Sequence, residues 1–115
     1  MSENWTAPKI AAHKVQNGET PLVMLTAYDA PGAHMVCEAG ADIILVGDTL
    51  AMVVLGYEDT MKVTIEDMVH HTAAVARAEP DAFIVADLPW MSYHVSQEET
   101  VKNAARLIRA GAKAV

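Results

Sequence analysis

Three aspartates stand just past short apolar runs, in the segments TAYD, VGDT and VADLPW, and they are the residues best suited to chemistry. In parallel α/β folds the ligand site lies at the carboxyl ends of the strands. Asp48 and Asp87 occupy matching positions, so neighbouring strands would bring their carboxylates together. Mg²⁺ typically takes one or two carboxylates and completes its octahedron with water and substrate oxygens. We therefore predict a metal site at Asp48 and Asp87.

Each of these aspartates also has a purely structural interpretation. Asp48 could cap a helix or a turn, and Asp87 could hold the turn before Pro89. The matched placement of the two favours the metal. For Asp29 we favour the structural role, because it stands where a helix N-cap is expected.

The apolar sequence continues beyond VGDT instead of giving way to a polar turn. We interpret Gly47 as a residue that lets the backbone turn tightly and approach a ligand. Asp48 would then point into the bowl above the strands. Residues 51–55 are expected to pack as a wall or lid of the site.

Histidine and aromatic side chains are weaker candidates. His70 and His71 are adjacent on a predicted helix and point about 100° apart, so they cannot easily share one metal. We expect one of them to pack and the other to be solvated. His94 is on a loop and is also expected to be solvated. Pocket-lining roles remain open for three aromatic residues, of which the first is the best placed: Tyr28, Trp90 and Tyr93.

The elements that must position these residues alternate along the chain. Strands are predicted at residues 22–26, 43–46 and 83–86, and the start of a fourth at residues 112–115. They are apolar throughout, as expected when both faces of a sheet are covered. Alternation with helices implies parallel pairing and right-handed crossovers.

Capping signals mark the helices between the strands. Asp29 and Pro31 open a helix that ends near Ala39, before Gly40. A further helix is predicted over residues 8–16. Two later helices begin with a near capping box, Thr64 with Asp67, and a full one, Ser96 with Glu99. The last helix has one apolar face at helical spacing, which consists of Val101, Ala104, Ala105 and Ile108.

Composition narrows the class of protein. The 115 residues are 52% hydrophobic and 20% charged, which excludes a disordered chain and indicates elements buried on both sides or an oligomer interface. The net charge of −7 argues against binding to nucleic acid or anionic lipid. The single cysteine, Cys37, is best explained as a small core residue. The sequence has no signal-peptide pattern and no apolar run long enough for a membrane span, so we expect a cytoplasmic protein.

Three or four parallel strands form either a small open sheet or part of a (β/α)8 barrel, which usually needs about 250 residues. The sequence stops at GAKAV, where a strand begins. We therefore expect the natural domain to continue beyond Val115, with residues 1–115 as the N-terminal part of a single barrel domain.

Several segments resemble the ketopantoate hydroxymethyltransferase family, in that family's order and spacing. They cover nearly everything from Val23 onward and read MLTAYDAPGA, ADIILVGDTLAMVVLGYEDT, VTIEDMVHHTAAV, IVADLPWMSY and ARLIRAGAKAV. The resemblance implies a (β/α)8 barrel of the phosphoenolpyruvate/pyruvate type, with its first three to four β/α units in this chain. It also implies a homo-oligomer.

The same resemblance implies an activity. Family members use Mg²⁺ and transfer a hydroxymethyl group from 5,10-methylenetetrahydrofolate to 3-methyl-2-oxobutanoate, which gives 2-dehydropantoate for pantothenate and coenzyme A synthesis. By position, Asp48 and Asp87 resemble the metal-site carboxylates, and Thr49 would hold the 2-oxo acid together with them. Such an acid would chelate Mg²⁺ through its carboxylate and keto oxygens, and the metal would stabilise the enolate that attacks the folate-bound carbon.

Departures from the family pattern and rival interpretations remain. Ala51 replaces a glycine of the family's GDSLGM, and MKVT at residues 61–64 replaces its LPVT. The resemblance places the catalytic base, a substrate-binding lysine and a further metal-site glutamate beyond Val115, so we expect 115 residues alone to be inactive. The alternatives are a lyase or mutase of the same superfamily acting on another 2-oxo acid, and an inactive partial barrel.

Overall fold

A three-stranded parallel sheet organises the protein. The structure is a computed structural model, and it describes residues 4–115. The strands are β1 (Met24–Thr26), β2 (Ile43–Val46) and β3 (Phe83–Ala86), in the order β1-β2-β3. The predicted bounds of β2 and β3 are confirmed, whereas β1 begins at Met24 and not at residue 22. Ile44 pairs with Leu25 on one side and with Ile84 on the other, so all three strands end at one edge.

Five α-helices accompany the strands in the described part of the chain. They are α1 (Ala7–Ala12), α2 (Ala30–Glu38), α3 (Leu50–Val53), α4 (Ile65–Arg77) and α5 (Gln97–Ala110). The predicted helix over residues 8–16 is wrong in extent, because His13 and Lys14 are extended and a short 3₁₀ turn follows at Val15–Asn17. Within residues 4–115, no helix combines the length and the apolar character needed to cross a membrane.

The helix caps follow the sequence signals with one exception. Asp29 accepts a hydrogen bond at 2.7 Å from the backbone N–H of Gly32, so its predicted capping role is confirmed. Thr64 and Asp67 form a complete capping box, with bonds of 3.0 and 3.1 Å. The full capping box predicted for Ser96 and Glu99 is wrong. Ser96 Oγ accepts from the Glu99 N–H, but among the described residues the Glu99 side chain forms no reciprocal bond to the Ser96 N–H.

The core lies between the sheet and the helices that cross it. Helix α4 supplies Met68, Thr72 and Val75, all fully buried, and α5 supplies Leu107. Strands β2 and β3 contribute apolar side chains from both faces of the sheet, as predicted for covered parallel strands, whereas β1 is exposed and does not follow that prediction. These strand residues are Ile43, Ile44, Val46, Phe83, Ile84 and Ala86.

Helix α5 turns a different face inward than its apolar spacing predicts. Val101 is 68% exposed and Ile108 is 47% exposed. Asn103 and Leu107 point inward instead. The Asn103 side chain donates a buried hydrogen bond of 2.7 Å to the Ser92 carbonyl, and such a satisfied polar contact fixes the rotation of the helix.

The predicted fourth strand is present only as a single bridge. Ala114 pairs in parallel with Val85, and its carbonyl accepts from the Ala86 N–H at 3.1 Å. At the opposite side of the sheet, all three residues of β1 are exposed. Within residues 4–115, β1 pairs with β2 only, and it is exposed, in contrast to the buried β2 and β3.

Gly111 ends helix α5 at a point of close approach to α4. Its φ is +125°, a region that side chains other than glycine rarely adopt. A Cβ at this position would lie 2.3 Å from the Cβ of Ala76. Glycine is therefore needed here both for the backbone angle and for the space between the helices.

Thr72 leads to a first prediction, about stability. Its hydroxyl is fully buried and has no hydrogen-bond partner among residues 4–115. Burial of an unpaired hydroxyl costs about 1–3 kcal/mol. We expect Thr72→Val, which keeps the shape, to raise the free energy of unfolding by about 1 kcal/mol, measured by urea titration. Thr72→Ser, which keeps the hydroxyl, is the control. A Val variant less stable than the wild type would contradict this account.

Candidate active site at the carboxyl ends of the strands

At the carboxyl ends of β2 and β3, the backbone hydrogen bonds between the strands are followed by one more bond, in which the acceptor is a side chain. Val46 pairs with Ala86, and the Asp87 N–H donates to the Val46 carbonyl at 3.0 Å. The next donor, the N–H of Asp48, bonds to Oδ2 of Asp87 at 3.0 Å. The structure therefore brings Asp48 and Asp87 together at the strand ends, as their matched placement predicted.

The two carboxylates influence each other electrostatically. Partial burial raises the pKa of Asp48 above its ordinary value, and the nearby negative charge of Asp87 raises it further, while the backbone bond at Asp48 acts in the opposite direction. Two neighbouring acids with this repulsion are a favourable place for a divalent cation.

The residues present fit Mg²⁺ but not a site made of protein ligands alone. In residues 4–115, no group of three or more histidine, cysteine, aspartate or glutamate side chains lies together. Two carboxylates with substrate and water oxygens are a common set for Mg²⁺. Asp48 and Asp87 are the residues that would hold it.

Thr49 presents a hydroxyl beside this pair. It occupies the N-cap position of α3, yet within the described chain its side chain makes no capping bond. Its Oγ1 lies 3.4 Å from the hydroxyl oxygen of Tyr28, at the end of β1. Tyr28, the favoured aromatic candidate from the sequence, is thus adjacent to Thr49.

The backbone of Tyr28 is held by a hydrogen bond from His71 that the sequence analysis did not predict. The N–H at Nδ1 of His71 donates to the Tyr28 carbonyl at 2.8 Å, which connects α4 to the end of β1. His70 is exposed, so the expectation that one of the two histidines packs and the other is solvated is confirmed. No local pattern announces this bond, because it joins residues 43 positions apart.

Gly47 begins the tight turn that the sequence predicts, because the Leu50 N–H donates to the Gly47 carbonyl at 3.1 Å. The turn does not require a positive φ at Gly47. A Cβ built on Gly47 would lie 3.5 Å from Asp87 Oδ2, 3.5 Å from Thr49 Oγ1 and 3.5 Å from Leu45 Cδ2. These are ordinary contact distances. An alanine methyl group at this position would therefore pack in ordinary contact with the carboxylate, the hydroxyl and Leu45.

The predicted wall or lid at residues 51–55 is only partly packed. The first turn of α3 buries Leu50 and Ala51 in the core. The following residues, 52–55, are exposed, because this four-residue helix has one buried side only. The expectation that the whole segment packs is therefore wrong.

The remaining loop candidates have local partners. Nδ1 of His94 accepts from the Met91 N–H at 3.1 Å, and its ring packs against Tyr93 with centroids 4.1 Å apart. Trp90 and Tyr93 are each half exposed. Among the hydrogen bonds of the described chain, those of Asp48 and Thr49 go to Asp87 and Tyr28 and not to these loop residues.

A groove of about 610 Å³ lies at the other, amino end of the strands. Its polar groups bond to one another: the Trp5 indole N–H donates to Asp42 at 3.3 Å, and His13 lies 3.6 Å from Glu19. These contacts attach the N-terminal segment to the sheet. Because the polar groups of the groove bond to one another, the carboxyl ends of the strands remain the candidate site for chemistry.

Known structures define the class of this fold. Phosphoenolpyruvate phosphomutase from Streptomyces platensis subsp. rosaceus superposes with a TM-score of 0.72 at 18% identity, over 95% of this chain and 36% of that one. A 2,3-dimethylmalate lyase of the PEP mutase/isocitrate lyase superfamily superposes at 0.68 and 21% identity, over 95% and 39%. The chain thus has the fold of the first part of such a barrel, and the fold class predicted from the sequence is confirmed.

Sequence comparison identifies the family within that class. The family model for ketopantoate hydroxymethyltransferase matches residues 4–115, and the chain belongs to this family. It is 63% identical over 102 residues to the 3-methyl-2-oxobutanoate hydroxymethyltransferase of Ignicoccus hospitalis, and 55% identical over 103 residues to that of Bacillus subtilis. These matches cover 89% of this chain but only 38% and 37% of the relatives.

Proposed function

We propose that the intact protein carrying this chain transfers the one-carbon unit of 5,10-methylenetetrahydrofolate to C3 of 3-methyl-2-oxobutanoate in the presence of Mg²⁺, giving 2-dehydropantoate. Water supplies the oxygen of the new hydroxymethyl group, and tetrahydrofolate is released. The observation that carries the proposal is the family match over residues 4–115, which includes the paired carboxylates at the ends of β2 and β3. The relatives that share this region are named 3-methyl-2-oxobutanoate hydroxymethyltransferases, which supports the acceptor and the group transferred.

Asp48 and Asp87 would hold the metal in this proposal. Mg²⁺, when bound, supplies Lewis-acid polarisation of a chelated keto group. The Asp48 N–H holds the Asp87 carboxylate in one orientation, so this side chain is already ordered before a metal binds. The mutual repulsion that contributes to the raised pKa of Asp48 would be offset by a cation.

Thr49 would orient the 2-oxo acid. Its hydroxyl has one donor hydrogen and can also accept. If the Tyr28 O–H donates to Thr49 Oγ1, the Thr49 hydrogen is directed away from Tyr28, toward a substrate carboxylate. The His71 bond to the Tyr28 carbonyl holds the backbone of that partner.

The direct test is turnover by the purified intact protein. It should convert 3-methyl-2-oxobutanoate to 2-dehydropantoate when Mg²⁺ and 5,10-methylenetetrahydrofolate are present, followed by mass spectrometry, and chelation should stop the reaction. Cleavage or rearrangement of other 2-oxo acids without one-carbon transfer would instead support the lyase or mutase alternative.

A second prediction concerns the hydroxyl of Thr49. Thr49→Val keeps the shape of the side chain and leaves α3 intact, since no capping bond of the described chain is lost. A hydrogen bond to a charged group contributes roughly 1.5–3 kcal/mol, so affinity for the oxo acid should fall about tenfold or more. Calorimetry with Mg²⁺ and 3-methyl-2-oxobutanoate measures this. Tyr28→Phe is the companion variant and should weaken binding less.

Equal affinity in the Thr49→Val variant would show that the Thr49 backbone alone binds the oxo acid.

Other predictions from the sequence also belong to this proposal. They are a cytoplasmic location, a homo-oligomeric state, and a general base supplied by residues outside the first 115.

A further inference from the structure

We infer that Asn103, on helix α5, is a positioning residue of the candidate site, because it fixes the turn that follows Asp87 and thereby the direction of the Asp87 carboxylate. Its Nδ2 donates a buried hydrogen bond of 2.7 Å to the Ser92 carbonyl. Ser92 in turn donates twice to the Pro89 carbonyl, from its hydroxyl at 2.6 Å and from its N–H at 3.0 Å. We refer to residues 89–92 as the Pro89 turn. The inference rests on the proposed function, which assigns Asp87 to the metal.

Asp87 lies between the sheet and this turn. On the side of the sheet, its N–H donates to the Val46 carbonyl and its carboxylate accepts from the Asp48 N–H, each at 3.0 Å. In the described chain, the next hydrogen-bonded group after that carboxylate is the Pro89 carbonyl. Pro89 is fully buried and its φ is fixed by the ring. Only Leu88 therefore separates Asp87 from the turn, so a shift of the turn would be transmitted to the backbone of Asp87.

The Pro89 turn keeps its shape through side-chain contacts and not through backbone preference. Met91 has a φ of +69°, a left-handed conformation that residues with a side chain rarely adopt. Such strain persists only where the surrounding structure holds it, and it is often found at functional sites. His94 accepts from the Met91 N–H at 3.1 Å, but His94 is exposed. The buried bond from Asn103 to the adjacent Ser92 is thus the contact that is protected from water.

The test compares Asn103→Leu with Leu107→Ala in the intact protein. Leucine is similar in size to asparagine but cannot donate to the Ser92 carbonyl. Leu107 is buried one turn further along the same side of α5, and its side chain cannot hydrogen-bond to the Pro89 turn. By calorimetry, Mg²⁺-dependent affinity for 3-methyl-2-oxobutanoate should fall about tenfold in Asn103→Leu, the lower end of the range for groups that orient metal ligands, and stay within about twofold in Leu107→Ala.

Hydrogen exchange of the metal-free protein measures the turn directly. Peptides that cover residues 89–94 should exchange at least about tenfold faster in Asn103→Leu than in the wild type, while peptides that cover β2 change little. This measurement does not depend on metal or substrate, so it separates the state of the turn from the chemistry of the site.

Ser92→Ala is the milder variant, since it removes the hydroxyl bond to Pro89 and keeps the N–H bond. It should weaken oxo-acid binding in the same direction. Combined with Asn103→Leu, it should add less than its own loss, because both act through one turn. If Asn103→Leu does not fold, Ser92→Ala decides by the same criterion.

Three results would overturn the inference. Wild-type affinity in Asn103→Leu, or in Ser92→Ala when it stands alone, would show that Asp87 does not depend on the turn. Equal losses of affinity in Asn103→Leu and Leu107→Ala would reduce Asn103 to a residue that stabilises the fold. Strictly additive losses in the double variant would mean that Asn103 and Ser92 act separately. Failure of the wild-type protein itself to bind the oxo acid with Mg²⁺ would instead refute the proposed function.

Discussion

Asp87→Asn is expected to weaken Mg²⁺-dependent binding of 3-methyl-2-oxobutanoate by about 100-fold or more. Substitutions in the outer shell of a metal site typically cost 10–100-fold, and loss of one of two proposed carboxylate ligands should exceed that. The asparagine keeps an oxygen that can accept from the Asp48 N–H, so the strand ends should stay in place. Calorimetry of the intact protein measures the effect.

The matched control for this variant is Asp29→Asn. Asp29 is also an aspartate near a strand end, but its oxygen caps α2 through the Gly32 N–H, and asparagine caps equally well. Binding should therefore be unchanged. Equal losses in both variants would indicate a general charge effect, and wild-type binding in Asp87→Asn would refute the metal assignment.

Gly111→Ala is expected to destabilise the protein by about 3 kcal/mol or more. A positive φ on a residue with a side chain costs about 1–3 kcal/mol, and overpacking adds a similar amount. The added Cβ would lie 2.3 Å from that of Ala76, which belongs to a helix and cannot swing aside. Urea unfolding of the intact protein measures the loss.

Two further variants separate the causes. Gly18→Ala imposes a similar positive φ, but no described atom lies within 4 Å of the added group, so it should cost about 1 kcal/mol. Ala76→Gly combined with Gly111→Ala removes the clash and should recover part of the stability beyond the additive sum. A purely additive double variant would show that the helices do not meet at this point.

The arrangement of the three strands and of helices α2, α4 and α5 was predictable because each of these elements carries a local signal. The apolar runs of β2 and β3 gave their bounds, and Asp29, Thr64 and Ser96 marked helix starts. The orientation of α5 was not predictable from its apolar spacing, because its buried side includes Asn103, whose bond to the Ser92 carbonyl depends on how a loop folds. Helix α3 was missed because four residues show no period.

The candidate site was predictable where it depends on strand ends. Matched placement was enough to bring Asp48 and Asp87 together, but it said nothing of which atoms meet. The Tyr28 to Thr49 and His71 to Tyr28 contacts join different elements, so no local pattern contains them. The tight turn at Gly47 was predictable, whereas its ordinary backbone angle was seen only in the three-dimensional structure.

The Asp87 carboxylate accepts the last hydrogen bond between β2 and β3, from the Asp48 N–H, and it is also part of the candidate site. In an ordinary parallel ladder the next acceptor would be a main-chain carbonyl, which has no charge to offer a ligand. Here a carboxylate takes that place, so its rotamer entropy is lost on folding and not on ligand binding. A site organised in this way binds with a smaller entropic penalty. The geometry of this contact depends on the pairing of β2 with β3. It does not depend on closure of a barrel.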